Sequence, residues 1–83
     1  LSPDRLVLGE EELQVFKAAL MELSPKCRQA FVLCRLREHS DREAAAKLGL
    51  QPRMVRHYLT QACTYCRLRI EGYSAKEAWD VVR

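Results

Sequence analysis

Arg53, Arg56 and His57 fall within five positions of one another, and Thr60 and Gln61 follow one helical turn later. Polar and cationic groups recurring at three- and four-residue steps share one face of a helix. The chemistry open to such a face is recognition of nucleic acid. A guanidinium fork bonds the O6/N7 edge of guanine in pairs or grips phosphate, while hydroxyl and amide groups reach either. A second set of reactive groups is the four cysteines, Cys27, Cys34, Cys63 and Cys66, the last two in a CxxC spacing. Four thiolates could hold zinc. All four, however, fall inside predicted helices, on or beside apolar stripes, whereas structural zinc pairs sit in turns that wrap the metal. They read as small core hydrophobes, with zinc and redox chemistry as the lesser alternatives. His39 and His57 are the only histidines, and neither pairs with a nucleophile and an acid. With no Gly-rich phosphate loop and no HExxH, the sequence describes a binding protein and not an enzyme, with no metal, no cofactor and no small-molecule substrate.

The elements that must position these residues are all helical. Leu13, Phe16, Leu20 and Leu23 recur at helical steps from Glu10 to Leu23, behind a first turn of Glu10, Glu11 and Glu12 that suits the positive end of the helix dipole better than a metal. Ser24-Pro25 stops that helix and starts a second, to about Arg37, with Ala30, Phe31, Leu33, Cys34 and Leu36 inward. Ser40-Asp41-Arg42-Glu43 is a capping box opening a short helix over about 41–48, and Gly49 is its natural left-handed stop. Gln51-Pro52 starts a long helix to about Ile70 whose inner stripe is Val55, Leu59, Ala62, Cys66 and Ile70. A further capping box, Ser74 to Glu77, opens a short terminal helix within 71–83, where Trp79 reads as packing. The expected fold is all-α, four to five helices, with no strands. A short helix joined to a long one by a three-residue turn containing Gly is the helix-turn-helix layout, in which the start of the second helix reaches base edges in the major groove.

Charge follows the same map. The 83 residues carry a net +3, which alone decides little. Residues 1–24 sum to −3 and residues 71–83 to −1, whereas residues 25–70 hold ten basic against three acidic groups. That +7 block coincides with the helix-turn-helix and the helix before it, the electrostatic footprint of nucleic-acid binding. Ser40 and Arg42, at the start of the short helix, are placed to meet phosphate, and helix capping explains Ser40 equally well. The longest apolar run, the five residues Ala30 to Cys34, is far too short for a membrane span, so no membrane role is expected. So small a chain also leaves little room for a deep substrate pocket. Because the sequence lacks an initiator Met, it reads as an excerpt of a longer protein, residues 1–9 being a linker from an upstream domain.

Three stretches in order resemble a family. Leu23-Ser24-Pro25-Lys26-Cys27-Arg28-Gln29-Ala30-Phe31-Val32-Leu33 is similar to the LP-x-x-x-R-x-x-F-x-L opening of region 4 in the extracytoplasmic-function sigma factors. Ser40 to Gly49 resembles that family's S-x-x-E-I-A-x-x-L-G, and Leu50 to Leu59 its V-S-x-x-T-V-[KR]-x-x-L. The tail Gln61-Ala62-Cys63-Thr64-Tyr65-Cys66 looks most like the iron-starvation, ferric-siderophore-responsive branch. The resemblance covers about residues 10–70. It implies a cytoplasmic domain that recognises the promoter −35 element and docks on the β flap of bacterial RNA polymerase. By position, Arg53, Arg56, His57, Thr60 and Gln61 would face DNA, with Ser40, Arg42 and Gln51 beside its backbone. The resemblance also implies that anti-sigma regulators can mask the domain; the Leu13, Phe16 and Leu20 stripe fits such a partner surface, and core packing explains much of it.

The sequence departs from the family pattern at Gln51, where Ser or Thr is usual, and at Ala44, where a larger aliphatic is common. Glu38-His39 replaces Gly-Leu, and residues 71–83 extend beyond the pattern. Two other readings stay open from sequence. One is the helix-turn-helix output domain of a two-component or quorum-type regulator, which usually lacks the helix over Glu10 to Leu23. The other is a protein-interaction module whose basic face does not bind DNA.

Overall fold

The computed structural model describes residues 8–83, so residues 1–7 of the expected linker lie outside the described residues. Glu10–Glu22 form the first helix, α1. The Gly9 N–H donates to the Glu12 carboxylate at 3.0 Å, and the three leading glutamates sit at the positive end of the dipole. Ser24 then caps α2, Pro25–Phe31: its hydroxyl accepts from the Cys27 N–H at 3.4 Å, and Pro25 takes the first helical position.

α2 does not run on as an α-helix to Arg37. It passes into a π-helical turn, Val32–Leu36, whose wider winding advances less per residue. Leu36, expected to face inward, is rotated out to 57% exposure, and Cys34 is only half-buried. The turn closes at Glu38, whose φ of 57° is left-handed, and the His39 N–H donates across it to the Leu33 carbonyl at 2.9 Å.

Helix α3, Asp41–Leu48, helix α4, Pro52–Ile70, and helix α5, Ala75–Val82, complete the chain. Both Ser-x-x-Glu boxes form as expected. Glu43 N–H donates to the Ser40 hydroxyl at 3.1 Å, and Glu77 N–H donates to that of Ser74 at 3.1 Å. The fold is all-α, with no strand among the described residues.

α1, α2, α3 and α5 all pack on α4, which is the central helix of the core. Val55, Leu59, Ala62, Tyr65 and Cys66 of α4 are buried with Ala19, Leu23, Cys27, Ala30, Phe31, Ala44, Ala45 and Ala78. Ile70, expected on the inner stripe, is half-buried, while Tyr65, outside the expected stripe, is fully buried. A tyrosine can be mistaken for a surface residue because one end of it is polar. Here the ring lies against Trp79, centroids 4.6 Å apart, while the hydroxyl donates at the rim to Glu22 Oε1 at 2.5 Å. Trp79 is therefore a packing residue. Ala44 and Ala45 present almost no side chain where α3 meets α4, so the short helix lies close against the long one. Among the described residues no helix is long and apolar enough to cross a membrane.

Candidate nucleic-acid interface

The turn between α3 and α4 consists of Gly49, Leu50 and Gln51. Gly49 has φ 68°, and the Leu50 N–H donates back to the Ala45 carbonyl at 2.9 Å, a Schellman closure. From α2, the Lys26 ammonium donates to the Leu48 carbonyl at 2.6 Å, a cation at the negative end of α3. Gln51 stands extended at the cap of α4 without using its side chain, and Pro52 follows at the first helical position. The turn is thus closed by backbone and by Lys26, which leaves the side chain of Gln51 free at the start of α4.

Arg53, Arg56, His57 and Thr60 are all exposed, on the face of α4 opposite the buried Val55, Leu59, Ala62 and Cys66. Gln61 is half-buried, because it turns toward α5. Arg56 Nη2 lies 3.3 Å from Asp41 Oδ2 at the start of α3. An exposed pair of this kind adds little to stability, but it holds the guanidinium beside the junction of the two helices. The Thr60 hydroxyl donates to the Arg56 carbonyl at 3.2 Å within its own helix.

Ser40 and Arg42 are exposed at the start of α3. The Ser40 N–H donates to Glu43 Oε1 at 2.8 Å, and this box holds the Glu43 carboxyl below its ordinary range. Accepting from the Glu43 N–H occupies one lone pair of the Ser40 hydroxyl and leaves its own proton for another acceptor. Capping and phosphate contact are therefore compatible at this residue. His57 and Gln61, with Thr60 and Thr64, also form one wall of a shallow groove of about 210 Å³ whose other wall is Val81 and Val82 of α5. Thr64 carried no signal in the sequence, since its partner wall lies seventeen residues away in a segment outside the family pattern.

Of the candidate partner residues on α1, only Leu13 is exposed, at 39% of its surface. Phe16 meets Phe31 edge-on with centroids 5.8 Å apart, and both Phe16 and Leu20 pack against the core. The thiols divide. Cys27 and Cys66 are buried, Cys34 is half-buried, and Cys63, expected in the core, is exposed. Position 63 lies one residue beyond Ala62 and so leaves the inner stripe. Burial pushes the Cys27 thiol up to about 11 and that of Cys66 up to about 12, so neither is a thiolate at neutral pH. Among the described residues no group of three or more His, Cys, Asp or Glu side chains could hold a metal ion.

Two packed helices joined by a left-handed glycine turn, the second presenting arginines from its first turns, define a helix-turn-helix DNA-binding domain. The family model for sigma-70, region 4 matches residues 13–66, and the chain belongs to that family. Region 4 is the promoter −35 DNA-binding domain of sigma factors. No curated protein and no solved structure matches the chain. The matched span begins within α1, and the family is that of sigma factors, not of regulator output domains or DNA-independent interaction modules.

Proposed function

We propose that this chain is the −35-reading domain of an extracytoplasmic-function sigma factor, of the iron-starvation, ferric-siderophore-responsive branch. The carrying observation is that Arg53, Arg56 and His57 leave the first two turns of α4 exposed, directly after a helix-turn-helix junction inside the family-matched span. In this reading Arg53, Arg56, His57, Thr60 and Gln61 face the major groove, and Ser40, Arg42 and Gln51 meet its phosphates. The branch assignment is supported by the Gln61-to-Cys66 tail. The domain works in the cytoplasm on RNA polymerase, with α1 and α2 meeting the β flap. Leu13 contributes its exposed surface there or to an anti-sigma regulator, while Phe16 and Leu20 support it from below.

Retention of the chain by an immobilised β flap, together with selection of one recurrent −35 sequence from a random duplex pool, is the outcome this reading requires. Dimerisation on a palindromic site without flap retention would reject it.

A further inference from the structure

A helix lying in the major groove has a sugar-phosphate strand along each flank, because the groove, about 12 Å wide, is little wider than the helix. The exposed strip of Arg53, His57 and Thr60 on α4 is bordered on one side by α3, as the contact of Arg56 with Asp41 shows. On the other side it is bordered by α5, through the groove that Gln61 and Thr64 form with Val81 and Val82. The start of α3 accounts for one strand. The outer wall of the second flank, Val81 and Val82, comes from outside the family match, which ends at 66.

We infer that the α4–α5 groove seats the sugar-phosphate backbone of the second DNA strand, with Thr64 a phosphate donor and Val81 a cover for the deoxyribose. The inference rests on the DNA-binding reading of α4 and extends it to α5. The chemistry of the groove fits this occupant. One wall offers an imidazole, the Thr64 hydroxyl and an amide able to donate to phosphate oxygens, the Thr60 proton being given to the Arg56 carbonyl, and the other offers aliphatic surface of the kind that packs on a sugar. The groove is continuous with the cationic strip, since His57 and Thr60 belong to both. Val81 stands at the lip with 61% of its surface open, although it is a β-branched aliphatic on a helix whose neighbours Ala78 and Val82 turn toward the core.

Backbone contacts do not depend on sequence, so the test uses the full chain and a short duplex of mixed sequence, titrated by fluorescence anisotropy over a range of salt concentrations. Val81→Arg should raise affinity several-fold and steepen the salt dependence by about one counterion, and Val81→Glu should lower affinity and make it shallower. Thr64→Val, which keeps the volume and removes the donor, should weaken binding about five- to tenfold. If the Val81 variants melt like the unaltered chain and leave affinity and salt dependence unchanged, while Arg56→Ala weakens binding, α5 stands clear of DNA and this inference alone fails. If the unaltered chain does not bind the duplex even at low salt, the DNA-binding reading of α4 fails with it.

Discussion

Arg53 and Arg56 leave one helix face but meet different surroundings. Arg56 already has a carboxylate 3.3 Å away at the α3 junction, at the edge of the face, which in the proposed docking is the edge that meets a phosphate strand. Arg53, one turn earlier, makes no ion pair among the described residues and extends from the first turn of α4, the end that in the proposed docking enters the groove first. Arg56→Ala should therefore weaken binding evenly across sequences and reduce the salt slope by about one. Arg53→Ala should shift preference at one or two base positions by about 1 to 3 kcal/mol, measured by competition between single-substituted duplexes. Ser40 separates capping from phosphate contact. Aspartate caps a helix as well as serine does but repels phosphate. Ser40→Asp should leave the melting temperature nearly unchanged and lower DNA affinity, whereas an equal loss of both would make Ser40 a cap only. The exposed residues of α4 were legible in the sequence because polar groups at helical steps opposite Val55 and Leu59 can face only solvent. Asp41 as the partner of Arg56, and Thr64 as a groove residue, were not, since both depend on how separate helices meet.

At the scale of elements, the chain writes most of its boundaries in capping chemistry. Ser24-Pro25, both Ser-x-x-Glu boxes and Gly49 act where their side chains or backbone freedom predict. The exception is the end of α2. Nothing in Val32–Leu36 marks a π-helical turn, and its effect on Leu36 could not be foreseen from a stripe drawn at the ordinary helical period. The departure at Glu38 gains a physical meaning there. The family pattern has Gly at this position, and the backbone keeps the left-handed φ of 57° that glycine adopts freely and glutamate does not. Glu38→Gly should raise stability by about 0.5 to 1 kcal/mol, the relief of that strain less the extra freedom of an unfolded glycine, read as a higher denaturant midpoint at unchanged slope.

Across the whole molecule, one polar cluster joins the sequence-distant ends. Glu22 at the end of α1 accepts from Tyr65 and from Arg69 Nε at 3.0 Å, and Arg69 Nη1 donates to the Tyr73 carbonyl at 2.7 Å in the turn before α5. The Arg69 guanidinium, with the Tyr65 hydroxyl, holds the Glu22 carboxyl below the usual carboxylate range of about 4.5. A carboxyl depressed by folding stabilises the native state above its unfolded pKa, and that contribution disappears as pH falls through the lower folded value. Stability from this cluster should thus be complete above about pH 5 and decline below the ordinary carboxylate range. Glu22→Gln should lower the melting temperature at pH 7 and flatten its decline between about pH 5 and 3. A variant whose acid limb matched that of the unaltered chain would assign the decline to other carboxylates. The pairing of residues 22 and 69 could not be read from the sequence, because no local period connects positions forty-seven apart.

The two faces of α4 also bear on how such a domain can diversify. Positions 53, 56, 57 and 60 are open to solvent, while 55, 59, 62, 65 and 66 carry the core. Exchanges at the open positions cost little stability, so in the proposed reading promoter preference can change there without disturbing the core. Gln61 and Thr64, wedged against α5, lack that independence. A lineage that alters them must also adjust the terminal helix, so divergence at 61 and 64 should track divergence at 81 and 82.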